Sequence, residues 1–380
     1  MKIERIASGW IETEKTMTYH GWPTMCKLPN GDLMAVASGG RESHVCPFGR
    51  IYCYRSTDGG LTWSEPQILS AGPLDDRDCG VSVAADGSIL INYFTSTAFT
   101  TLAKYFAYRN DPVLWPEKQQ EMLRECHHLI EFSDGWLEKM KEINLDTLFR
   151  EHGFWMLRST DNGHTWSKKY AVPVNNVHGP TLLKDGSLLW VGKEHSGTFV
   201  QLATFGPKVK AYASYDNGLT WQVQSCLPDA PGLDHSGFAE VSSVQTDEGM
   251  IIAQIRCFCN TGCMGETYTL QTESNDGGRT WGPYRKVCDG YPSHMLSLAD
   301  GRVLTTYGWR QKPFGIRCRF GLDLPLRFWE EEIILTDDGD SLDLGYPSSV
   351  QLDDGSFVTL WYQFRNATGM ASLRWLKWRI

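Results

Sequence analysis

Short apolar runs separated by turn residues occupy most of the chain. Six segments repeat one pattern: an apolar strand, a tight turn rich in Asp, Asn and Gly, then a second apolar strand. They run from Pro23 to Asp32, Val81 to Ile89, Pro180 to Leu189, Val241 to Ile252, Pro292 to Leu304 and Pro347 to Val358. Turns of that type between apolar runs read as β-hairpins. A second pattern follows four of the hairpins, S-x-D-x-G-x-T-W, at Ser56–Trp63, Ser159–Trp166, Ser214–Trp221 and Ser274–Trp281. Its Asp carboxylate suits local backbone N–H groups, and its Gly tolerates positive φ. Repetition at this period is the mark of a repeat architecture. Six hairpins, each extended by a third strand into the Asp motif and a fourth after it, predict an all-β fold: a six-bladed β-propeller. The segment Ile3 to Ile11 is expected to complete the last blade beside the C-terminal strand Ser372 to Ile380, removing free edges.

One stretch breaks the period. Residues 97–152 fall between the second and third strands of blade 2. Within them, 117–132 carries apolar residues at helical spacing, and Trp136, Leu137, Met140 and Ile143 suggest a second short helix. We therefore expect a single propeller domain over 1–380 with a helical insertion in blade 2.

If the strands of a blade are lettered A to D in chain order, A–B hairpins and Asp motifs share one face. Entrances to the A strands and B–C loops share the other, where a functional site is expected, with the insertion as its wall or lid. Aligning the repeats on strand A gives an inner position per blade held by Trp22, Cys79, Gly179, Glu240, Tyr291 and Tyr346. The preceding position holds Gly21, Asp78, His178, Ala239, Gly290 and Gly345. A carboxylate such as Glu240 beside a low-dielectric funnel is costly unless paired.

Composition narrows the function classes. The 380 residues carry a net charge of −9 and no basic run, which argues against a nucleic-acid partner or an anionic membrane surface. No run of about 18 apolar residues and no apolar leader is present, so a cytoplasmic chain is expected. The 11 cysteines form no regular framework. Cys257, Cys259 and Cys263 lie close in sequence but lack the C-x-x-C pairs of a zinc site, and no phosphate-binding Gly motif occurs. No metal or cofactor is expected.

With its Asp motifs and hairpins, the chain resembles the sialidases, also called neuraminidases, over all but the insertion. In that family a Glu precedes an Arg by one hairpin, a second Arg sits in a later B–C loop, and a Tyr opens the last hairpin. Glu240, Arg256, Arg317 and Tyr346 fit those places. The resemblance implies that Glu240 activates the Tyr346 phenol for attack on the anomeric carbon, while Arg256 and Arg317 clamp a substrate carboxylate. Tyrosine is a weak nucleophile unless a base takes its proton, and arginine offers the planar fork that a carboxylate needs. Two departures stand out. Gly21 occupies the place of the family's first arginine, and the first B–C loop, Arg41 to Arg50, holds no Asp to serve as the usual acid. Candidate replacements are His44 and His178 for acid–base chemistry, with Glu42 and His20 as further options, and Arg41 for charge. Asp78, Glu194, Tyr291, Trp22 and Arg310 complete the candidate sugar-binding set. The resemblance implies a glycoside hydrolase acting on a terminal acidic sugar, sialic-acid-like or a uronate. A uronate-directed polysaccharide lyase and a non-catalytic glycan-binding propeller remain open. The expected partner is a carbohydrate bearing a carboxylate; the oligomeric state is open.

Overall fold

In the computed structural model, residues 2–11, 19–97, 134–195, 205–229, 233, 235–258, 266–322 and 328–380 are described. They form an all-β propeller. Each of the six hairpin segments contributes an antiparallel A–B pair, and each B strand pairs onward to a C strand. The expected six separate four-stranded blades need a correction, because among the described residues the ladders join into five sheets. Four are separate, two of four strands and two of five. The fifth has eight strands, because the last hairpin and its C strand Met370–Arg379 connect to the first A strand Tyr19–Lys27 through the parallel pair Tyr19–Ala371. The N-terminal strand Glu4–Ile11 pairs antiparallel with Met370–Arg379, so the two ends of the chain share one sheet. Such closure covers edges that would otherwise invite pairing with another chain.

Burial falls from the axis outward. The B strands Leu33–Arg41 and Ile89–Ser96 are buried along their whole length, because both faces of each sheet pack on neighbouring sheets. The outer strand Gln67–Ser70 is half exposed. Packing between sheets is continuous: Val36, Ile51 and Cys53 of the first meet Val81, Ile91 and Tyr93 of the second. Leu189 and Val209 of the third meet Val241 and Ile255 of the fourth.

The Asp motifs are turn devices. Asp58 accepts from the N–H groups of Leu61 and Thr62 at 3.0 and 2.9 Å, from the Thr62 hydroxyl at 2.6 Å and from Ser56 at 2.8 Å. Asp161, Asp216 and Asp276 hold their Ser and Thr partners in the same way. The motif glycines Gly60, Gly163, Gly218 and Gly278 stand at φ of 83–86°, a conformation costly for other residues. Each motif tryptophan then packs against a cluster between sheets.

Of the insertion, α1 (Asp134–Glu142) and α2 (Leu145–Glu151) are described; Trp136 is buried, and Asn144 caps α2 by accepting from the Thr147 N–H at 2.9 Å. The expected helix over 117–132 lies outside the described residues. So do Cys259 and Cys263. No described helix is long and apolar enough to cross a membrane.

Candidate active site

Four inner strands carry the same irregularity at the mouth of the funnel. Between Gly21 and Thr24, Arg77 and Gly80, Phe238 and Val241, and Gly345 and Ser348, three steps along the A strand match two along its B partner. One extra residue per strand makes a β-bulge, a device that re-aims side chains beside active sites. Trp22, Asp78 and Tyr346 are the first bulged residues of their strands, and their φ values are 53°, 49° and 51°. Such left-handed φ is unusual for non-glycine residues and clusters at functional sites. The bulge corrects the inner alignment in blades 2 and 4; in blade 4, Ala239 and not Glu240 is the first bulged residue. Asp78, not Cys79, is equivalent to Trp22 and Tyr346, and Cys79 packs in the core between the first two sheets.

Tyr346 is buried, and its hydroxyl donates a short hydrogen bond to Glu240. Arg256 donates to the same carboxylate at 3.1 and 3.4 Å and reaches the Tyr346 oxygen at 3.5 Å. Burial pushes the Glu240 carboxyl up, but Arg256, the Tyr346 hydroxyl and Arg310 outweigh it and leave the group below its usual value. Burial, reinforced by the Glu240 charge, holds the Tyr346 phenol well above the usual tyrosine value. The resting pair is therefore neutral phenol and carboxylate.

Two guanidinium groups flank this pair. Arg256 lies 4.7 Å and Arg310 5.4 Å from the centre of the Tyr291 ring, and Arg310 is 5.9 Å from the Tyr346 ring. Nε of Arg256 and both Nε and Nη2 of Arg310 are buried without an acceptor among the described residues. Buried donors normally have partners, so orphans on two converging arginines mark a place for an anion.

A cavity of about 250 Å³ opens between the second, third and fourth sheets. Asp78 of the second sheet and Glu240 of the fourth both line it, together with Asn175, Asn176 and Lys193 of the third. Phe94, Phe238 and Phe258 supply an apolar wall. Polar groups beside aromatic faces suit a sugar ring. Burial, with the Glu240 charge, raises the Asp78 carboxyl above its usual value despite Arg77, Arg41 and His44.

His44 stands at the rim, edge-on to Trp22 at 4.8 Å. Its Nδ1 lies 3.2 Å from Asp343 and 2.8 Å from the Tyr19 hydroxyl, and Tyr19 and Tyr362 each donate to Asp343 at 2.8 Å. Burial would raise the Asp343 carboxyl, but His44 and the two phenols hold it at about 2. Burial lowers the His44 value against the pull of Asp343, so the ring is a poor acid near neutral pH.

Several candidates stand elsewhere. Arg317 is paired with Glu332 and stacked on Trp309 at 3.8 Å, so Arg310 takes the place beside Tyr346. Arg41 is fully buried and forked onto Asp75, bonding also to the His44 carbonyl at 3.0 Å; it anchors the loop that carries His44. His178 packs on His294 at 4.9 Å and lines a separate vestibule of about 480 Å³ formed by inner strands beyond the bulges. Burial lowers its pKa to about 3, which keeps it neutral. Glu194 bonds Lys210 at 2.7 Å and Tyr212 at 3.1 Å, while alternation along the strand turns Lys193 to the cavity instead. Trp22 lies beneath the mouth between Arg41 and Arg77, at 5.0 and 4.3 Å. Asp343, Tyr19, Arg77 and Lys193 escaped sequence reading, since only the bulged register brings them to the mouth.

The chain is similar to known proteins in sequence and in fold. The family model described as "BNR repeat-like domain" matches residues 145–359, more than half of the chain, and "BNR/Asp-box repeat" matches residues 54–65. A sialidase of Micromonospora viridifaciens is 26% identical over 274 residues, 69% of this chain. The chain spans about a third of that relative's length, 35%. A Dyadobacter fermentans protein of unknown function is 24% identical with a TM-score of 0.73, over 100% of this chain and 99% of that one. The NanB sialidase from Streptococcus pneumoniae is 13% identical with a TM-score of 0.63, over 99% of this chain and 70% of that one. An intramolecular trans-sialidase from Ruminococcus gnavus is 13% identical with a TM-score of 0.59, over 95% and 94%. At these identities the structural likenesses concern the fold.

Proposed function

The chain belongs to the BNR repeat-like domain family, within the sialidase superfamily, and from that premise we propose that it is a retaining glycoside hydrolase. Its substrate is a glycan ending in a sugar that bears a carboxylate. The observation that carries this reading is the Tyr346–Glu240 hydrogen bond with Arg256 on both oxygens. Glu240 takes the phenolic proton as Tyr346 attacks the anomeric carbon, and Arg256 supports the phenolate oxygen. A neutral phenol approaches an anionic sugar without the repulsion a carboxylate nucleophile would meet. Arg256 and Arg310 hold the sugar carboxylate through their unsatisfied N–H groups. Water then cleaves the tyrosyl–sugar bond, and Glu240 returns the proton.

For the architecture, we read the eight-stranded sheet as two blades joined at Tyr19 and Ala371, which makes six around the ring. Helices α1 and α2 stand as part of a wall over the same face. The chain's last helix there, α2, supports this: its Glu151 carbonyl accepts from Trp155 at 3.1 Å, at the start of a C strand.

The test is a screen on 4-nitrophenyl glycosides of N-acetylneuraminic acid, of glucuronic acid and of neutral sugars. Turnover of an acidic glycoside, abolished in a folded Tyr346→Phe variant, is expected. A fully active Tyr346→Phe variant sinks the proposal. So does an unsaturated, ultraviolet-absorbing product from a uronide polymer, which marks a lyase, or binding without any product, which marks a lectin-like propeller.

A further inference from the structure

A retaining hydrolase with an alkoxide leaving group needs a proton donor, and the first B–C loop, residues 41–50, offers no Asp. We propose that Asp78 is that donor, working from the inner strand of the second sheet into the cavity that Glu240 also lines. This inference rests on the hydrolase reading and names the group that completes it.

Placement comes first. Asp78 shares with Tyr346 the first position of an inner-strand bulge and the same left-handed backbone, φ 49° against 51°. The chain sustains that conformation at a non-glycine residue only where the surroundings enforce it. It aims the carboxyl into the cavity that Glu240 also lines. Two carboxylates lining one cavity take the acid and base roles when their environments differ. Here they do. Glu240 bonds Arg256 and the Tyr346 hydroxyl, which favours the charged form. Among the described residues Asp78 has its one polar contact with Arg77, whose Nε is 3.5 Å away and whose guanidinium is also 3.7 Å from Asp75. The other charged or titratable groups facing Asp78 include Glu240, Arg41, His44, Tyr346 and Cys79, and Lys193 lines the same cavity. Their balance leaves the Asp78 carboxyl raised, with burial the largest cause, and the Glu240 carboxyl lowered. His44 is depressed by burial and bonded to Tyr19 and Asp343, and His178, also depressed by burial, lines the separate vestibule.

The step balances. The Tyr346 oxygen–carbon bond forms as the glycosidic carbon–oxygen bond breaks. The phenolic proton goes to Glu240, and the Asp78 proton goes to the departing oxygen. In the second half a water proton restores Asp78, the water oxygen bonds the anomeric carbon as the Tyr346 oxygen–carbon bond breaks, and the proton on Glu240 returns to the Tyr346 oxygen.

The experiment compares leaving groups on the full chain. Methyl and 4-nitrophenyl glycosides of N-acetylneuraminic acid and of glucuronic acid are the probes. A nitrophenolate leaves without a proton, whereas a methoxide does not. Asp78→Asn should lower kcat/KM on the methyl glycoside by about 10²–10⁴-fold and on the nitrophenyl glycoside by less than about tenfold. The basic limb of the pH profile for the methyl glycoside should vanish with it. Asp78→Ala serves the same comparison if the Asn variant does not fold. Equal losses on both leaving groups, or no loss on either, overturn the assignment while leaving the hydrolase reading standing. A wild type inactive on all four probes, or an active Tyr346→Phe variant, overturns the hydrolase reading and this one together.

Discussion

Replacing Arg310 by Met should make the protein more stable and its substrate affinity worse. Arg310 is half-buried, makes no ion pair among the described residues, and leaves its buried Nε and Nη2 without acceptors. An unsatisfied buried donor costs about 1–3 kcal/mol, and methionine keeps the unbranched stem that packs on Tyr291 and Tyr346. The Arg310→Met variant should therefore gain about 1–3 kcal/mol. For a chain of this length the melting entropy scales to about 0.8 kcal/mol per kelvin, so the apparent Tm should rise by roughly 1–4 °C. In the other direction, a forked guanidinium–carboxylate contact contributes about 3 kcal/mol to binding, so kcat/KM on an acidic glycoside should fall by about 10²-fold. The carboxylate is equally charged in ground and transition states, so the loss belongs in KM and kcat should change little. Calorimetry and steady-state kinetics on the same preparations read both effects. Arg317→Met is the control: it breaks the Glu332 pair and should lower Tm while KM holds. An Arg310→Met variant that melts lower, or that keeps its KM, refutes the anion-clamp assignment.

Two further expectations separate scaffold from chemistry. Asp343 is held at about 2, below the usual carboxylate value, so the stability it contributes is present above about pH 4 and is lost as pH falls towards 2. Urea titrations of wild type and Asp343→Asn should show the gap between them narrowing by about 2–3 kcal/mol from pH 5 to pH 2, and a constant gap counts against the Tyr19–His44–Tyr362 network. Asp58→Ala removes the acceptor of four short-range hydrogen bonds in one turn, and should cost about 1–3 kcal/mol while kcat/KM stays unchanged; an activity loss in the folded variant contradicts a purely structural turn.

The propeller was legible because its signals are local. Each Asp motif closes its own turn through residues within eight positions, and each hairpin carries its own Gly. The Tyr346, Glu240 and Arg256 grouping was legible through family resemblance and hairpin spacing. Asp78 and Arg310 show where counting residues fails. Cys79 occupies the place that Pro23 and Pro347 take in their bulges, and without a proline there the alignment slipped by one. A bulge is set by how two strands and their neighbours pack, which the strand's own letters do not encode. Arg317 and Arg310 are seven residues apart on either side of one turn. Only the position of Glu332, which captures Arg317, separates a paired arginine from an unpaired one. The joining of first and last blades into one sheet likewise depends on a pair of residues at opposite ends of the chain.

The same geometry reconciles an acidic chain with the acidic sugar proposed as its substrate. The whole molecule carries −9, but a substrate at the mouth meets local charge in a low-dielectric setting. There the Tyr346 phenol is neutral, and the Asp78 carboxyl is pushed towards its neutral form. Glu240 then faces both Arg256 and Arg310, which leaves the clamp with an excess positive charge that only an incoming anion balances. Protonation of Asp78 thus serves binding as well as the proposed chemistry, since an ionised Asp78 would cancel the excess. Substrate affinity should accordingly weaken as pH rises through the Asp78 titration, and Asp78→Asn should abolish that dependence while preserving affinity. A KM for the nitrophenyl substrate with the same pH dependence in wild type and Asp78→Asn would separate the two roles and leave the clamp's charge balance to another group.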